Sequence, residues 1–84
     1  MRVKIFISLK NGVLDPQGKA IEHSLHSLGY DEAHDVRVGK YLELVVDADS
    51  RAAAELRIRE MCDKLLSNTV IEDYRFEISA DPEG

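Results

Sequence analysis

The change from strand to helix at residues 15–19 constrains the fold of this chain more than any other stretch. Before it, aliphatic residues occupy every second position from Val3 to Leu9, which is the period of a β-strand with one buried face. Asp15 can then cap a helix with its carboxylate, and Pro16 fits the first helical position because its missing N–H leaves no donor unpaired. The sequence therefore predicts a strand and a helix joined by a short corner.

The helix that begins at Pro16 is amphipathic. Its apolar residues Ile21, Leu25 and Leu28 are three or four positions apart, so they share one stripe of the helix. Gly29 follows and is suited to a left-handed C-terminal cap.

The second half of the chain predicts another helix and a last strand. Residues 47–50 supply N-cap candidates for the helix. Its expected buried stripe consists of Ala54, Ile58, Met61, Cys62 and Leu65. The strand is expected from Val70 to about Ile78, and residues 79–84 are expected to form a frayed tail.

Between the two helices, the apolar residues of an extended region all fall on even positions. They are Val36, Val38, Leu42, Leu44 and Val46. A two-residue turn at Gly39-Lys40 would turn half of them outward, whereas a three-residue turn or one uninterrupted strand keeps them on one face. We favour a continuous strand over residues 36–46, roughly 36 Å long. A strand of that length would extend into the sheet of a second copy.

The order of these elements predicts a single α+β domain over residues 1–84. We expect a two-layer sandwich with β-α-β-β-α-β order, a mostly antiparallel sheet and two helices on one face. The core of an 84-residue chain is small, so a partner would stabilise it. We therefore predict a homodimer or a higher even oligomer, intertwined if the long strand is continuous.

Composition excludes several classes of function. Sixteen acidic and eleven basic residues give a formal net charge of −5, which disfavours nucleic-acid binding. Apolar runs fall far short of the roughly 18 residues of a membrane span, so no membrane association is expected. The single cysteine, Cys62, rules out an internal disulfide, and Met1 leads directly into strand-like sequence. We predict a cytoplasmic protein.

Candidate catalytic and metal-binding residues find no support in the pattern. His23 and His26 share a helix face, but no cysteine or carboxylate cluster supplies two further ligands. Cys62 lies on a buried stripe, where free cysteine behaves as a small apolar residue. Gly12 and Gly18 complete neither of the known phosphate-binding loops. We expect no catalytic residue, metal site or cofactor site in this chain.

Several stretches together resemble the PurS-type small subunit of phosphoribosylformylglycinamidine synthase. They are residues 8–10, 15–19, 21–30, 35–44 and 60–74, and the resemblance stays in register from about the third residue to the last strand. It implies a non-catalytic subunit that bridges a synthetase subunit and a glutaminase subunit in purine biosynthesis. The partners would use ATP, Mg²⁺ and glutamine to convert formylglycinamide ribonucleotide to its amidine. A small dimeric regulatory domain that binds an effector is the alternative.

Six residues are candidates for partner contact or self-association. Phe6, Tyr41 and Val45 are expected on the sheet face opposite the core, on adjacent strands at the sheet centre, where apolar side chains form an interaction surface. Lys10, Arg37 and Lys40 are exposed charges suited to polar contacts with a larger subunit.

Overall fold

The computed structural model describes residues 1–79 of the chain. The three strands are β1 (Arg2–Leu9), β2 (Gly39–Val45) and β3 (Glu72–Ser79), and the helices are α1 (Pro16–Ser27) and α2 (Arg51–Met61), which continues as a π-helical segment (Cys62–Leu66). Ser79, the first residue of the expected frayed tail, is the last residue of β3, and residues 80–84 lie outside the described residues.

The strands form one antiparallel sheet in the order β2-β1-β3. In its register, Ile5 of the central strand lies opposite Leu42 on one side and Phe76 on the other. The predicted α+β class with a mostly antiparallel sheet and two helices is thereby confirmed.

The predicted β-α-β-β-α-β order contains one strand too many for the described residues. The chain passes through Gly39 without turning, and Gly39 pairs with Ser8 at the start of β2. The two strands are very close there, since a Cβ on Gly39 would lie 2.5 Å from the carbonyl oxygen of Ile7. Gly39 therefore serves the close approach of β2 to β1, and the hairpin alternative is wrong. The hydrogen-bonded strand covers residues 39–45 of the predicted 36–46.

The core lies between one face of the sheet and α2. Its buried members are Val3, Ile5, Ile7, Val46, Ala54, Ile58 and Cys62. Leu65, predicted on the same helical stripe, is 82% exposed. The π-helical segment has a wider turn than an α-helix. It rotates Leu65 outward and lets Leu66 pack against the core.

Helix α1 stands apart from this core. Gly18 is its only buried residue, while Ile21 is 41% and Leu28 is 73% exposed. The radius of gyration is 16.3 Å, whereas a compact chain of this length has about 12 Å. Among residues 1–79, therefore, only α2 covers the sheet, which corrects the predicted placement of both helices on one face.

Candidate interaction surfaces

The face of the sheet opposite α2 carries an aromatic pair. Phe6 and Tyr41 lie directly opposite each other in the register of β1 and β2, and their ring centroids are 5.1 Å apart. The guanidinium carbon of Arg75 on β3 lies 3.9 Å from the centroid of the Phe6 ring. Phe6 thus lies between Tyr41 and Arg75 and is half-buried. We call Phe6, Tyr41 and Arg75 the aromatic patch.

Tyr41 and Val45 extend the apolar character of this face along β2. Tyr41 is 52% and Val45 is 54% exposed. The hydroxyl of Tyr41 donates a hydrogen bond to Glu43 at 2.9 Å. Desolvation, followed by this hydrogen bond to a carboxylate, raises the pKa of Tyr41 above its usual value. Their predicted position on a shared open face agrees with the observed register, but β2 is an edge strand and only β1 is central.

The three predicted basic residues do not join the aromatic patch. Arg37 is occupied within the chain, since its Nη2 donates to the carbonyl oxygens of Leu9 and Lys10 at 3.3 Å. Lys40 lies opposite Ile7, on the α2 side of the sheet, and its Nζ is 3.4 Å from the Glu72 carboxylate. The six predicted contact residues thus fall at three separate places.

A carboxylate clamp holds α1 to the segment that precedes β2. Asp15 is buried, and its Oδ1 accepts a hydrogen bond from the N–H of Gly18 while its Oδ2 accepts one from the N–H of Val38, both at 2.9 Å. The Glu22 carboxylate accepts a further bond from the N–H of Val36 at 3.2 Å. The predicted N-cap is therefore also a contact between residues 23 positions apart in sequence.

These hydrogen bonds favour the ionised carboxylates. The Val38 N–H, followed by the Gly18 N–H, lowers the pKa of Asp15 below its ordinary value. The Val36 N–H lowers the pKa of Glu22 in the same way. Gly18 is required at its position because a Cβ there would lie 2.4 Å from the carbonyl oxygen of Val36. We call Asp15, Gly18, Glu22, Val36 and Val38 the corner clamp.

An apolar groove of about 510 Å³ lies between β2 and the end of α2. Its floor and walls include Leu42 and Leu44 from the strand, Met61 from α2, and Leu65 and Leu66 from the π-helical segment. Charged side chains border it, namely Glu43, Arg57, Glu60 and Lys64. Sequence reasoning did not identify this groove, although the even-numbered apolar residues of β2 were the signal that something must cover them.

The single cysteine of the chain, Cys62, is buried. Burial raises the pKa of the Cys62 thiol, which makes the thiolate scarce near neutral pH. Among residues 1–79, no three His, Cys, Asp or Glu side chains are grouped so that they could hold a metal ion. Over the same residues, no helix combines the length and the apolar character needed to cross a bilayer.

Comparison with known proteins adds the decisive observation. The model of the PurS family, described as phosphoribosylformylglycinamidine (FGAM) synthase, matches residues 2–80 of the chain. The chain belongs to the PurS family. The PurS subunit of phosphoribosylformylglycinamidine synthase from Bacillus subtilis is 54% identical to it over 77 residues, covering 92% of this chain and 90% of that relative.

Solved PurS structures share the fold. PurS from Methanocaldococcus jannaschii, described as one of the subunits of formylglycinamide ribonucleotide amidotransferase in the purine biosynthetic pathway, matches with a TM-score of 0.84 and 32% identity. That match covers 93% of this chain and 94% of the other. A chain in the structure of PurLQS from Thermotoga maritima matches with a TM-score of 0.84 and 29% identity, covering 90% and 93%. Members of the PurS family are thus subunits of an enzyme of purine biosynthesis.

Proposed function

We propose that this chain is the non-catalytic small subunit of phosphoribosylformylglycinamidine synthase and that it bridges the synthetase and glutaminase subunits. The observation that carries the proposal is the 54% identity over 92% of the chain to a PurS subunit of that enzyme. The PurLQS structure of Thermotoga maritima, which contains a chain of the same fold, supports assembly with partner subunits.

The reaction divides the chemistry between subunits. Formylglycinamide ribonucleotide is converted to formylglycinamidine ribonucleotide with ATP and with nitrogen from glutamine, and the partner subunits bind ATP, Mg²⁺ and glutamine. This chain contributes no cofactor of its own and acts in the cytoplasm. The carboxylates of Asp15 and Glu22 support such a role, because both are engaged in hydrogen bonds that organise the backbone rather than aimed at a substrate.

Bridging requires at least two separate surfaces, and the chain has them. The aromatic patch, extended by Val45, lies on the open face of the sheet, and we assign it to contact with a partner subunit. Lys10 and Arg37 lie at the corner and Lys40 lies on the α2 side of the sheet, and we assign them to polar contacts with a larger subunit away from the aromatic patch. Self-association into a homodimer or a higher even oligomer would use the remaining apolar surfaces.

Reconstitution tests the proposal. Glutamine-dependent synthesis of the amidine is measured with the synthetase and glutaminase subunits alone, with this chain alone, and with all three together. We expect turnover from glutamine only in the complete mixture. Glutaminase, ATPase or ligase activity in the isolated chain would overturn the non-catalytic role. Equal glutamine-dependent rates with and without the chain would overturn the bridging role.

A further inference from the structure

A cleft of about 240 Å³ lies in the corner where the loop after β1, the start of α1 and the segment before β2 meet. Residues 12–15 form its first wall, Lys19 and Glu22 of α1 form the second, and residues 35–37 form the third. Its volume is that of about eight water molecules at about 30 Å³ each. The cleft is smaller than the range of about 300 to 1,000 Å³ that holds drug-sized ligands, so it suits a small metabolite.

Side chains of both signs line this corner cleft. The carboxylates of Asp15, Glu22 and Asp35 outnumber the cationic groups of Lys19 and Arg37 by one, which gives a formal charge of −1. This excess of negative charge repels a simple anion such as phosphate. Over residues 1–79, no three His, Cys, Asp or Glu side chains are grouped so that they could hold a metal ion. The cleft is therefore suited to a ligand that carries charges of both signs.

The fold itself already engages three of the five charged groups. Both carboxylate oxygens of Asp15 accept backbone hydrogen bonds, and Glu22 accepts another. The guanidinium of Arg37 donates to two carbonyl oxygens at the end of β1. Within residues 1–79, the side chains of Lys19 and Asp35 make no hydrogen bond and no close ion pair. One ammonium group and one carboxylate thus remain available to a ligand.

The backbone of Asp35 is also unusual. Its φ is +56°, which makes it the only residue other than glycine with a positive φ among residues 1–79. Aspartate and asparagine enter this left-handed region more readily than other residues do. An observed conformation of this kind directs attention to function at its position.

We propose that the corner cleft binds a free α-amino acid, with the ligand carboxylate at Lys19 and the ligand ammonium group at Asp35, and that it binds glutamine in preference to glutamate. The second carboxylate of glutamate is disfavoured by the formal charge of −1 in the cleft. Val13 and Val36 are half-buried and line the cleft beside the methylene groups of the ligand. The inference rests on the proposed function, in which glutamine supplies the nitrogen, and makes this chain a sensor of that donor.

An amino acid in the cleft would join the same two elements as the corner clamp. Lys19 belongs to α1, and Asp35 belongs to the segment that leads into β2. A ligand that binds only the folded chain stabilises it by mass action. The midpoint of thermal unfolding should therefore rise with glutamine concentration.

A two-dimensional NMR titration of the full-length chain with L-glutamine locates the site. We expect saturable shifts in the millimolar range, centred on the amides of residues 12–19 and 35–37. N-acetyl-L-glutamine lacks the ammonium group and L-glutaminamide lacks the carboxylate, so each should bind about tenfold more weakly. L-glutamate should also bind more weakly than L-glutamine. Shifts centred elsewhere, or equal affinity for all four compounds, would overturn the inference.

Two variants test the two ends of the ligand separately. Asp35→Asn keeps a residue that tolerates the positive φ but removes the charge, and Lys19→Gln removes the ammonium group at an exposed helix position. Each should weaken glutamine binding about tenfold. Asp31→Asn and Lys64→Gln are the matched controls at exposed positions outside the cleft, and both should bind glutamine as the wild type does. Circular dichroism checks the fold of all four variants.

Unchanged affinity in Asp35→Asn or in Lys19→Gln would contradict the assigned contacts. Because binding is measured on this chain without partner subunits, it is scored apart from reconstituted synthesis. A chain that binds glutamine without supporting synthesis contradicts only the proposed function. A chain that supports synthesis and shows no shifts with glutamine contradicts only this inference.

Discussion

Helices α1 and α2 have nearly the same length, 12 and 11 residues, and both carry apolar side chains at helical spacing, yet only α2 is buried by its own chain. Ile58 of α2 is completely buried, whereas Ile21 of α1 is 41% exposed. The difference lies in how each helix is connected. The loop before α2 returns the chain across the sheet, while the corner clamp holds α1 beyond its end. An apolar stripe thus shows which face of a helix could be buried, but it does not show whether the fold of its own chain buries that face.

The largest expected effect is a loss of stability on truncating an apolar side chain of either helix, and its dependence on protein concentration should differ between α2 and α1. Ile58→Ala should lower the free energy of unfolding by about 2 to 5 kcal/mol, because it leaves a cavity under α2. Leu25→Ala on α1 is the matched variant, and its cost should grow with protein concentration because α1 lies outside the core of its own chain and the proposed self-association would cover this side chain. Denaturant unfolding at several concentrations measures both. A concentration-independent loss of the same size in the two variants would remove the distinction between the helices.

A smaller loss of stability is expected from a substitution in the corner clamp, which holds α1 away from the core. Gly18→Ala forces a Cβ to within 2.4 Å of the Val36 carbonyl oxygen. Overpacking of this kind costs about 1 to 3 kcal/mol. Gln17→Ala, at an exposed neighbouring position, serves as the control and should have little effect on stability. Thermal unfolding of the two variants provides the comparison, and equal midpoints would mean that the clamp does not hold α1 in place.

The open face of the sheet differs from both helices, because a substitution there should change partner binding rather than stability. Phe6→Asp should leave the unfolding transition largely unchanged but weaken binding to a partner subunit, by about 2 kcal/mol if Phe6 is a central contact. Ser8→Asp introduces the same charge two residues along the same strand face. Titration of each variant with the synthetase subunit gives the two affinities. Equal affinities would exclude the aromatic patch from that interface.

The smallest expected effect is the pH dependence of the stability that the Asp15 carboxylate contributes. Since the pKa of Asp15 is lower in the folded chain than its unfolded value of about 3.9, its carboxylate stabilises the fold fully above that value. This stabilisation is lost as the pH falls through the folded pKa. The wild type should therefore exceed Asp15→Asn in stability near pH 7, and the gap should narrow below about pH 4. Asp31→Asn removes the same charge at an exposed position outside the clamp. A gap that stays constant from pH 7 to pH 3 would contradict the role of the ionised carboxylate.

Much of the local structure was accessible from the residue pattern. The alternation from Val3 to Leu9, the cap at Asp15 and the helix end before Gly29 all agree with the structure, in which Gly29 has a φ of +97°. These features depend on interactions between residues within four or five positions of one another, so the spacing of residues in the sequence is enough to predict them. The resemblance to PurS subunits was accessible for the same reason, because it rests on the order of residues alone.

Only the tertiary structure decided how these elements meet. Whether the chain turns at Gly39 depends on the close contact with Ile7, 32 positions earlier, and the exposure of Leu65 depends on the π-helical segment against the core. The second role of Asp15, as acceptor for Val38, is likewise a contact between distant residues. Periodicity specifies which side of an element is apolar, whereas the partner of that side is set by the competition among all surfaces that the folded chain brings within reach.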